Sequence, residues 1–453
     1  METTVKSWDI KCLFGVFLLN PLLVIYYLRR AQNRLEWDQK KIKKYQNKKL
    51  RKIIKNAYEN VPFYHRFLKS EGIHPLDIKS VDDLNKIPVF KKADLRKNST
   101  ADLISKKEEI KTLTKNTSGG STGEPFSIYI NKKEDAWRKA IYLRANISCG
   151  QKPRDSWVAV IAPQYQKTSN SLQKTLGLFY RRIVPIILDK EIRYKAVEEI
   201  NPAILDGYPS VLHLIAKQQN QAKKTIQPRL IFGSGELITQ NQIDFIEKTF
   251  EVPYFDQYGC TEIDRSAWQC KQQKGYHMDM DSVITQFVDK NGEEVSSGEK
   301  GEIVYTSLFN FAFPIIRYNI EDVGIPMKSQ CLCGIKLPMM KVIEGRTNDN
   351  LIFPNNQIFT PLRFIELLGV FNLEKEIEQY QIIQEKKNLL RIILKKTGPT
   401  VNENKIEKIL RENLAIIFPD PKNKEQIVNF DIVFAEKLIK TRRGKLNVIT
   451  SKL

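Results

Sequence analysis

The stretch Thr117-Ser118-Gly119-Gly120-Ser121-Thr122-Gly123-Glu124-Pro125 concentrates three glycines and four hydroxyl side chains in nine residues. Glycines let backbone N–H groups close on phosphate oxygens, and hydroxyls add further donors. The stretch lacks the Gly-Lys-Ser/Thr ending of a P-loop and runs into strand-like Phe126 to Ile130 rather than a helix. Taken alone, it also fits a surface hairpin. A second set of reactive types is Cys270, His277, Cys331 and Cys333. Thiolates and imidazole are good zinc ligands, and four of them closing one site would make a structural centre. Cys331 and Cys333 are too close in the chain for an ordinary strain-free disulfide. Their spacing is no common zinc-finger pattern, so four unrelated residues stay open as the alternative. The four histidines, His65, His74, His213 and His277, give a Ser-His-Asp hydrolase little support.

Further motifs follow in order: Gly233-Ser234-Gly235-Glu236, Tyr258-Gly259-Cys260-Thr261-Glu262, Arg317-Tyr318-Asn319-Ile320-Glu321-Asp322, Gly345-Arg346 and Thr441-Arg442-Arg443-Gly444-Lys445. With the Gly/Ser-rich stretch, their order and spacing resemble the signatures of adenylate-forming enzymes, the acyl-CoA synthetases and peptide-synthetase adenylation domains. Asn60-Val61-Pro62-Phe63-Tyr64 and Phe313-Pro314-Ile315-Ile316-Arg317-Tyr318 are similar to the phenylacetate–coenzyme A ligase branch, and within it to the capsular polysaccharide biosynthesis group. The resemblance spans roughly residues 40–450.

It implies roles that simple chemistry supports. The loop of Ser118, Gly119, Gly120, Ser121, Thr122 and Gly123 would hold the β- and γ-phosphates of ATP. Gly235, Glu236, Tyr258 and Gly259 would border the nucleotide, with Tyr258 near adenine. Glu262 would ligate Mg²⁺, a hard cation that wants carboxylate oxygen. Thr261 would hydrogen-bond the α-phosphate, Asp322 the two ribose hydroxyls, and Arg346 phosphate or ribose oxygens. Lys445 would enter from a mobile small domain during adenylate formation. The family usually places two acids after the hinge Gly-Arg; here Asn348-Asp349 stands instead. Cys270, His277, Cys331 and Cys333 resemble metal sites in some members of this branch.

The implied reaction joins a carboxylic acid to ATP as an acyl-adenylate and then passes the acyl group to an acceptor, coenzyme A by default. A capsular or surface polysaccharide pathway is the implied setting. Two alternatives stay open: adenylyl transfer to a hydroxyl, and a nucleotide-binding accessory protein of a glycan pathway without turnover. The acyl pocket is expected to draw on the Asp206–Ser210 segment, the Ile231–Glu236 turn and Gln257.

The elements that must position these residues read as α/β. A basic amphipathic helix is expected from Glu36 to Tyr58, ended by Val61-Pro62. Ser80-Val81-Asp82-Asp83 is a helix-capping sequence. Strands at Trp157–Ala162, Ile183–Leu188, Ala203–Asp206 and Arg229–Ser234 alternate with helices at Ser169–Phe179, Tyr194–Ile200, Ser210–Asn220 and Gln240–Phe250, which implies helix-covered parallel sheet. Val283 to Tyr305 reads as antiparallel or barrel-like. A terminal β-β-α-β unit follows: Glu378–Gln384, Leu389–Lys395, Glu403–Phe418 and Ile427–Phe434. We therefore expect an N-terminal helix (1–35), a large adenylation domain (36–345) and a small mobile domain (346–453) carrying Lys445.

The formal charge of +21 favours an anionic partner. No nucleic-acid module is recognisable, and none is expected as partner. Six cysteines in 453 residues fit a reduced, cytoplasmic protein better than a disulfide scaffold. The apolar run Cys12–Leu28, followed by Arg29, Arg30 and Arg34, has three readings. It could lie on the inner membrane surface through residues 10–34, with Tyr26 and Tyr27 at the interface and the arginines at anionic headgroups. It could pack on the body, or, least well matched in length, span the bilayer. The oligomeric state is open between monomer and homodimer.

Overall fold

A computed structural model describes residues 19–117, 126–162, 171–222, 225–236, 238–346, 350–354, 357–373, 375–419, 427–439 and 446–453. The Gly/Ser-rich residues 118–125, the hinge residues 347–349 and the segment 441–445 with Lys445 lie outside them.

Helix α1 (Leu19–Asn33) is followed by α2 (Gln39–Asn60), which Asp38 caps by accepting from the Lys41 N–H at 2.7 Å. Pro62 opens α3 (Pro62–Ser70), where its missing N–H costs nothing. Ser80 and Asp83 form a capping box, as expected, but on a 3-10 turn (Val81–Lys86). Short helices α4 (Lys92–Arg96) and α5 (Thr100–Leu103) precede the antiparallel pair β1 (Thr114–Thr117) and β2 (Ser127–Ile130). Helix α6 (Lys132–Cys149) begins at an Asn131–Glu134 capping box and ends at Gly150, whose φ of 112° lets it close the helix.

The expected alternation then appears: β3 (Trp157–Ile161), α7 (Ser171–Leu176), β4 (Arg181–Pro185), α8 (Lys190–Ile200), β5 (Ile204–Gly207), α9 (Pro209–Gln221), β6 (Leu230–Ser234), α10 (Gln240–Phe250) and β7 (Tyr254–Cys260). Antiparallel strands β8 (Asp264–Gln269), β9 (Tyr276–Met278), β10 (Val283–Val288), β11 (Gly301–Ser307), β12 (Tyr318–Pro326) and β13 (Met339–Arg346) continue the same sheet. Its eleven strands run β10-β11-β12-β13-β9-β8-β7-β6-β5-β3-β4, parallel from β7 to β4 and antiparallel elsewhere.

Alternate residues of the parallel strands face opposite ways. Trp157, Ile204, Phe232 and Phe255 meet α6, while Val158, Leu205, Ile231 and Tyr254 meet α8, α9 and α10. After the hairpin β14 (Leu351–Ile352) and β15 (Ile358–Phe359) comes α11 (Pro361–Leu368). A four-stranded sheet is built from β16 (Ile377–Lys386), β17 (Leu389–Lys396), β18 (Asn429–Phe434) and β19 (Ile449–Ser451), in the order β18-β17-β16-β19. Helix α12 (Glu403–Ile417) covers it through Ile406, Leu410 and Leu414, giving this part its own core.

Helix α1 answers part of the question its sequence raised. Tyr27 and Ala31 pack against Trp137 and Ile141 of α6, and Arg34 is 7% exposed. Tyr27 and Arg34 therefore face inward, contrary to the expected interfacial placement; Tyr26, Arg29 and Arg30 are exposed. Among the described residues no helix is long and apolar enough to cross a membrane.

A buried ionic network ties α1 to the body. Arg144 of α6, 0% exposed, reaches Asp279 at 2.5 Å, Asp281 at 2.9 Å and the Ala31 carbonyl at 3.1 Å. Arg34 adds a 3.2 Å pair to Asp281, and Arg265 of β8 a 2.9 Å pair to Asp279. Burial pushes the Asp281 carboxyl up, but Arg144 and Arg34 outweigh it and hold it below the usual carboxylate range. Removing one member of a buried ion network leaves uncompensated charge. Arg144→Met should therefore lower stability by about 3–5 kcal/mol. Urea unfolding checks this, and an unchanged midpoint would contradict it.

Candidate active site

The parallel strands end side by side, and the loops beyond them carry the motif residues. Gly207 is in register with Gly233, and Ser234 with Gln257, so the segments expected to line an acyl pocket meet at one edge. Gly235 turns the chain there with φ of 81°. The Glu236 carboxylate accepts from the Ser210 N–H at 3.1 Å, on the first turn of α9. Asp206 is fully engaged inside: Tyr142, Trp157 and Arg181 all donate to its Oδ2. Gln257 donates to Asn146 of α6 at 2.7 Å.

Strand β7 turns into β8 at Gly259, where a Cβ would stand 2.0 Å from the Asp264 carbonyl oxygen. Only glycine fits, and the tight turn presents Thr261 and Glu262. Glu262 is 3% exposed. Its Oε1 lies 3.0 Å from the Lys92 ammonium and accepts from the Tyr318 hydroxyl at 3.0 Å. Burial alone would raise this carboxyl, but the Lys92 charge and these hydrogen bonds outweigh it and hold the carboxyl below its ordinary value. Glu262 is thus a buried, ionised carboxylate.

Its backbone is held from the other side. Arg138 of α6 donates to the Glu262 carbonyl at 2.8 Å and to the Thr261 carbonyl at 3.4 Å. Asn310 donates to the same Glu262 carbonyl at 3.1 Å. The Tyr258 hydroxyl donates to Asp322 at 2.5 Å, which joins two motif residues that are 64 positions apart. Asp322 also stands opposite Arg346 across the β12–β13 ladder, at a register shift. The structure therefore brings together Tyr258, Gly259, Thr261, Glu262, Asp322 and the Arg346 backbone. Ser118 to Gly123 and Lys445 lie outside the described residues.

Lys92 was not legible as a site residue. In Phe90-Lys91-Lys92-Ala93-Asp94 it reads as one more basic residue opening a helix. Phe90 delivers it: this residue bridges to Tyr318 beside β12 and packs its ring on Phe63 and Phe67. Arg317, part of a motif, supports the same approach. It donates to the Asn85 carbonyl at 3.0 Å and to the Ile87 carbonyl at 2.7 Å. Arg138 and Asn310 were missed for the same reason: each acts on backbone far away in sequence.

The cysteine–histidine set does converge. Ligand atoms of Cys270, His277, Cys331 and Cys333 lie within 4.8 Å of one another. Cys270 and Cys331 sulfurs are 3.5 Å apart, and Cys333 Sγ is 3.3 Å from His277 Nε2. His277 Nδ1 faces the Leu337 carbonyl at 3.2 Å; donation there leaves Nε2 as the lone-pair nitrogen toward the thiols. Tetrahedral zinc with bonds of about 2.3 Å sets sulfur atoms roughly 3.7 Å apart, so the donors fit the ion. They link the β8–β9 hairpin to the loop between β12 and β13.

No protein-family model matches the chain. Phenylacetate-coenzyme A ligase of Aromatoleum evansii is 28% identical over 345 residues, covering 73% of this chain and 76% of that protein. Protein CapK of Staphylococcus aureus is 26% identical over 418 residues, covering 88% of this chain and 87% of that one. Among solved structures, 2-hydroxyisobutyryl-CoA ligase in its postadenylation state with 2-HIB-AMP superposes with a TM-score of 0.74, over 93% of this chain and 92% of that one, at 18% identity, a likeness of fold. The phenylacetate-coenzyme A ligases among its relatives and the fold it shares with an adenylate-forming ligase together support a ligase enzyme. Within that class it is similar to the phenylacetate–coenzyme A ligases and, over more of its length, to CapK.

The Lys92–Glu262 pair has a thermodynamic signature. The folded-state pKa of Glu262 is depressed, so its contribution is present above the unfolded value of about 4.3 and is lost as pH falls through the folded value. Lys92→Met strands the carboxylate and should cost about 1–3 kcal/mol at neutral pH. That loss should shrink toward acid pH, where Glu262 protonates. Adding Glu262→Gln should recover most of it. A neutral-pH loss that the second substitution leaves intact would contradict the pairing.

Proposed function

We propose that this ligase activates a carboxylic acid as its acyl-adenylate and then passes the acyl group to coenzyme A. The environment of Glu262 carries the reading: a buried carboxylate kept ionised beside a lysine, on a glycine-forced turn next to the Tyr258–Asp322 pair. Such a group can bind a hard cation accompanying ATP phosphates. Mg²⁺ there would share the carboxylate with Lys92 and neutralise charge on the phosphates.

The chemistry needs no protein nucleophile. The substrate carboxylate oxygen bonds to the α-phosphorus, and the bond from that phosphorus to the pyrophosphate oxygen breaks. The chain supplies position and charge. We assign Ser118 to Gly123 to the β- and γ-phosphates, Thr261 to the α-phosphate, Tyr258 with Gly235, Glu236 and Gly259 to the nucleoside, and Asp322 to the ribose. Asp322 already accepts from Tyr258, so one carboxylate would fix both the ring and the sugar. Arg346 would meet phosphate or ribose oxygens from the boundary between a large domain (36–345) and a small one (346–453). A capsular or surface polysaccharide pathway is the setting that the group resemblance favours.

We also assign a structural Zn²⁺ to Cys270, His277, Cys331 and Cys333, since donor types, spacing and the His277 tautomer all suit it. It would pin the β12–β13 loop without entering the chemistry.

Lys445→Ala tests the catalytic assignment. An ammonium acting on charge that concentrates in the transition state affects rate more than ATP affinity. ATP–pyrophosphate exchange should fall on the order of 100-fold or more, with nucleotide binding little changed. Thioester formation from pre-made acyl-AMP should survive, because it would use another orientation of the small domain. Exchange at the parent rate would remove Lys445 from the reaction.

The metal assignment has its own test. Protein purified reduced and without chelator should hold about one zinc per chain. Cys331→Ser with Cys333→Ser should lose both metal and thermal stability. Metal-free parent protein would overturn the assignment.

A further inference from the structure

We propose that α1 and α2 together form a docking surface for an anionic lipid bilayer, independent of the ligase chemistry. Helix α1 buries one face and leaves the other without a partner among the described residues. Leu22, Ile25 and Tyr26 are 63%, 48% and 47% exposed, at a spacing that sets them on one stripe. Continuing that stripe one turn on, the exposed residues are Arg29 and Arg30, and the Arg30 guanidinium lies 4.6 Å over the Tyr26 ring. The face therefore runs from apolar to cationic along its length, the order of a helix whose apolar part enters the acyl boundary while arginines stay with headgroups. The sequence leading into it, Cys12-Leu13-Phe14-Gly15-Val16-Phe17-Leu18, carries no charge.

Helix α2 supplies a second, separate observation. It holds nine Lys and Arg against one acidic residue, Glu59. Lys40, Lys44, Lys48 and Lys52 recur every fourth position, are exposed, and make no ion pair with described residues. Other lysines of this helix are engaged: Lys43 pairs with Asp82 and Lys55 with Glu59. The two helices approach each other at one point beneath these faces. Tyr27 of α1 and Lys49 of α2 both contact the Phe309 ring. Burial first, and then the charges of Arg34, Lys52, Lys48 and Arg30, together lower Lys49 to about 8, so cations of both helices stand near it.

Chemistry selects the occupant. A nucleic acid would use the lysines but gain nothing from Leu22 and Ile25. A second copy would set like charge against like. An anionic bilayer uses both parts, with each surface lysine contributing on the order of a fivefold gain in binding.

The test is sedimentation of the full chain with sucrose-loaded vesicles of phosphatidylcholine, with and without roughly one-third phosphatidylglycerol. Binding is expected to the anionic vesicles only, weakening as sodium chloride rises. Leu22→Asp with Ile25→Asp should abolish it. Lys44→Gln, Lys48→Gln and Lys52→Gln together, on a solvent-exposed face where folding is not at stake, should lower it on the order of 100-fold. ATP–pyrophosphate exchange should be unaltered by either set. Failure of the parent chain to sediment at low salt overturns the proposal. So does binding that neither set weakens, or a Leu22/Ile25 effect that appears only as loss of a dimer.

Discussion

Arg144 sets the geometry on which the rest of the molecule depends. A guanidinium with no exposure to water, reaching Asp279, Asp281 and the Ala31 carbonyl, fixes three elements at once. It locks α6 in rotation and height, which determines where Arg138, nearly two turns earlier on the same helix, meets the Thr261 and Glu262 carbonyls. It anchors the chain just after β9, the strand that holds His277. It also draws the end of α1 onto the body, and the arginine pair at Asp281 completes that joint. Buried ionic groups of this kind add little net stability over apolar packing, but they tolerate few alternative arrangements. A site that needs a carboxylate held to fractions of an ångström gains from that intolerance.

The same electrostatic logic recurs at Glu262. Taken out of water alone, this carboxylate would protonate; beside Lys92 and Tyr318 it remains an anion. Lys92 arrives on a segment 170 residues upstream, carried by the aromatic packing of Phe90 and steadied by Arg317. The N-terminal region therefore builds part of the candidate site rather than hanging from the α/β body.

Local periodicity made much of the fold legible. The Gln240–Phe250 helix, the β-α alternation from Trp157 onward and the terminal β-β-α-β order all come from runs whose apolar spacing and caps agree. Motif order pointed to Glu262, Tyr258 and Asp322, and ligand types to the cysteine–histidine cluster. Lys92, Arg138 and Asn310 were illegible because their partners are carbonyls and a carboxylate distant in sequence, and nothing local distinguishes them from surface polar residues. Tyr27 and Arg34 were misplaced for a related reason. An apolar helix followed by arginines looks the same whether its cations meet lipid or, as Arg34 does, a buried aspartate.

Adenylation is defined by which oxygen attacks the α-phosphorus. A panel of carboxylic acids, run first for pyrophosphate exchange, identifies an acid that the enzyme accepts. That acid, carrying heavy oxygen in its carboxylate, is then turned over with ATP and coenzyme A. If the carboxylate bonds to phosphorus and thiol attack later breaks the carbon–oxygen bond, the AMP released must carry one heavy oxygen, and mass spectrometry of AMP reads it directly. Unlabelled AMP, with turnover of the acid confirmed, would show that no acyl-adenylate forms.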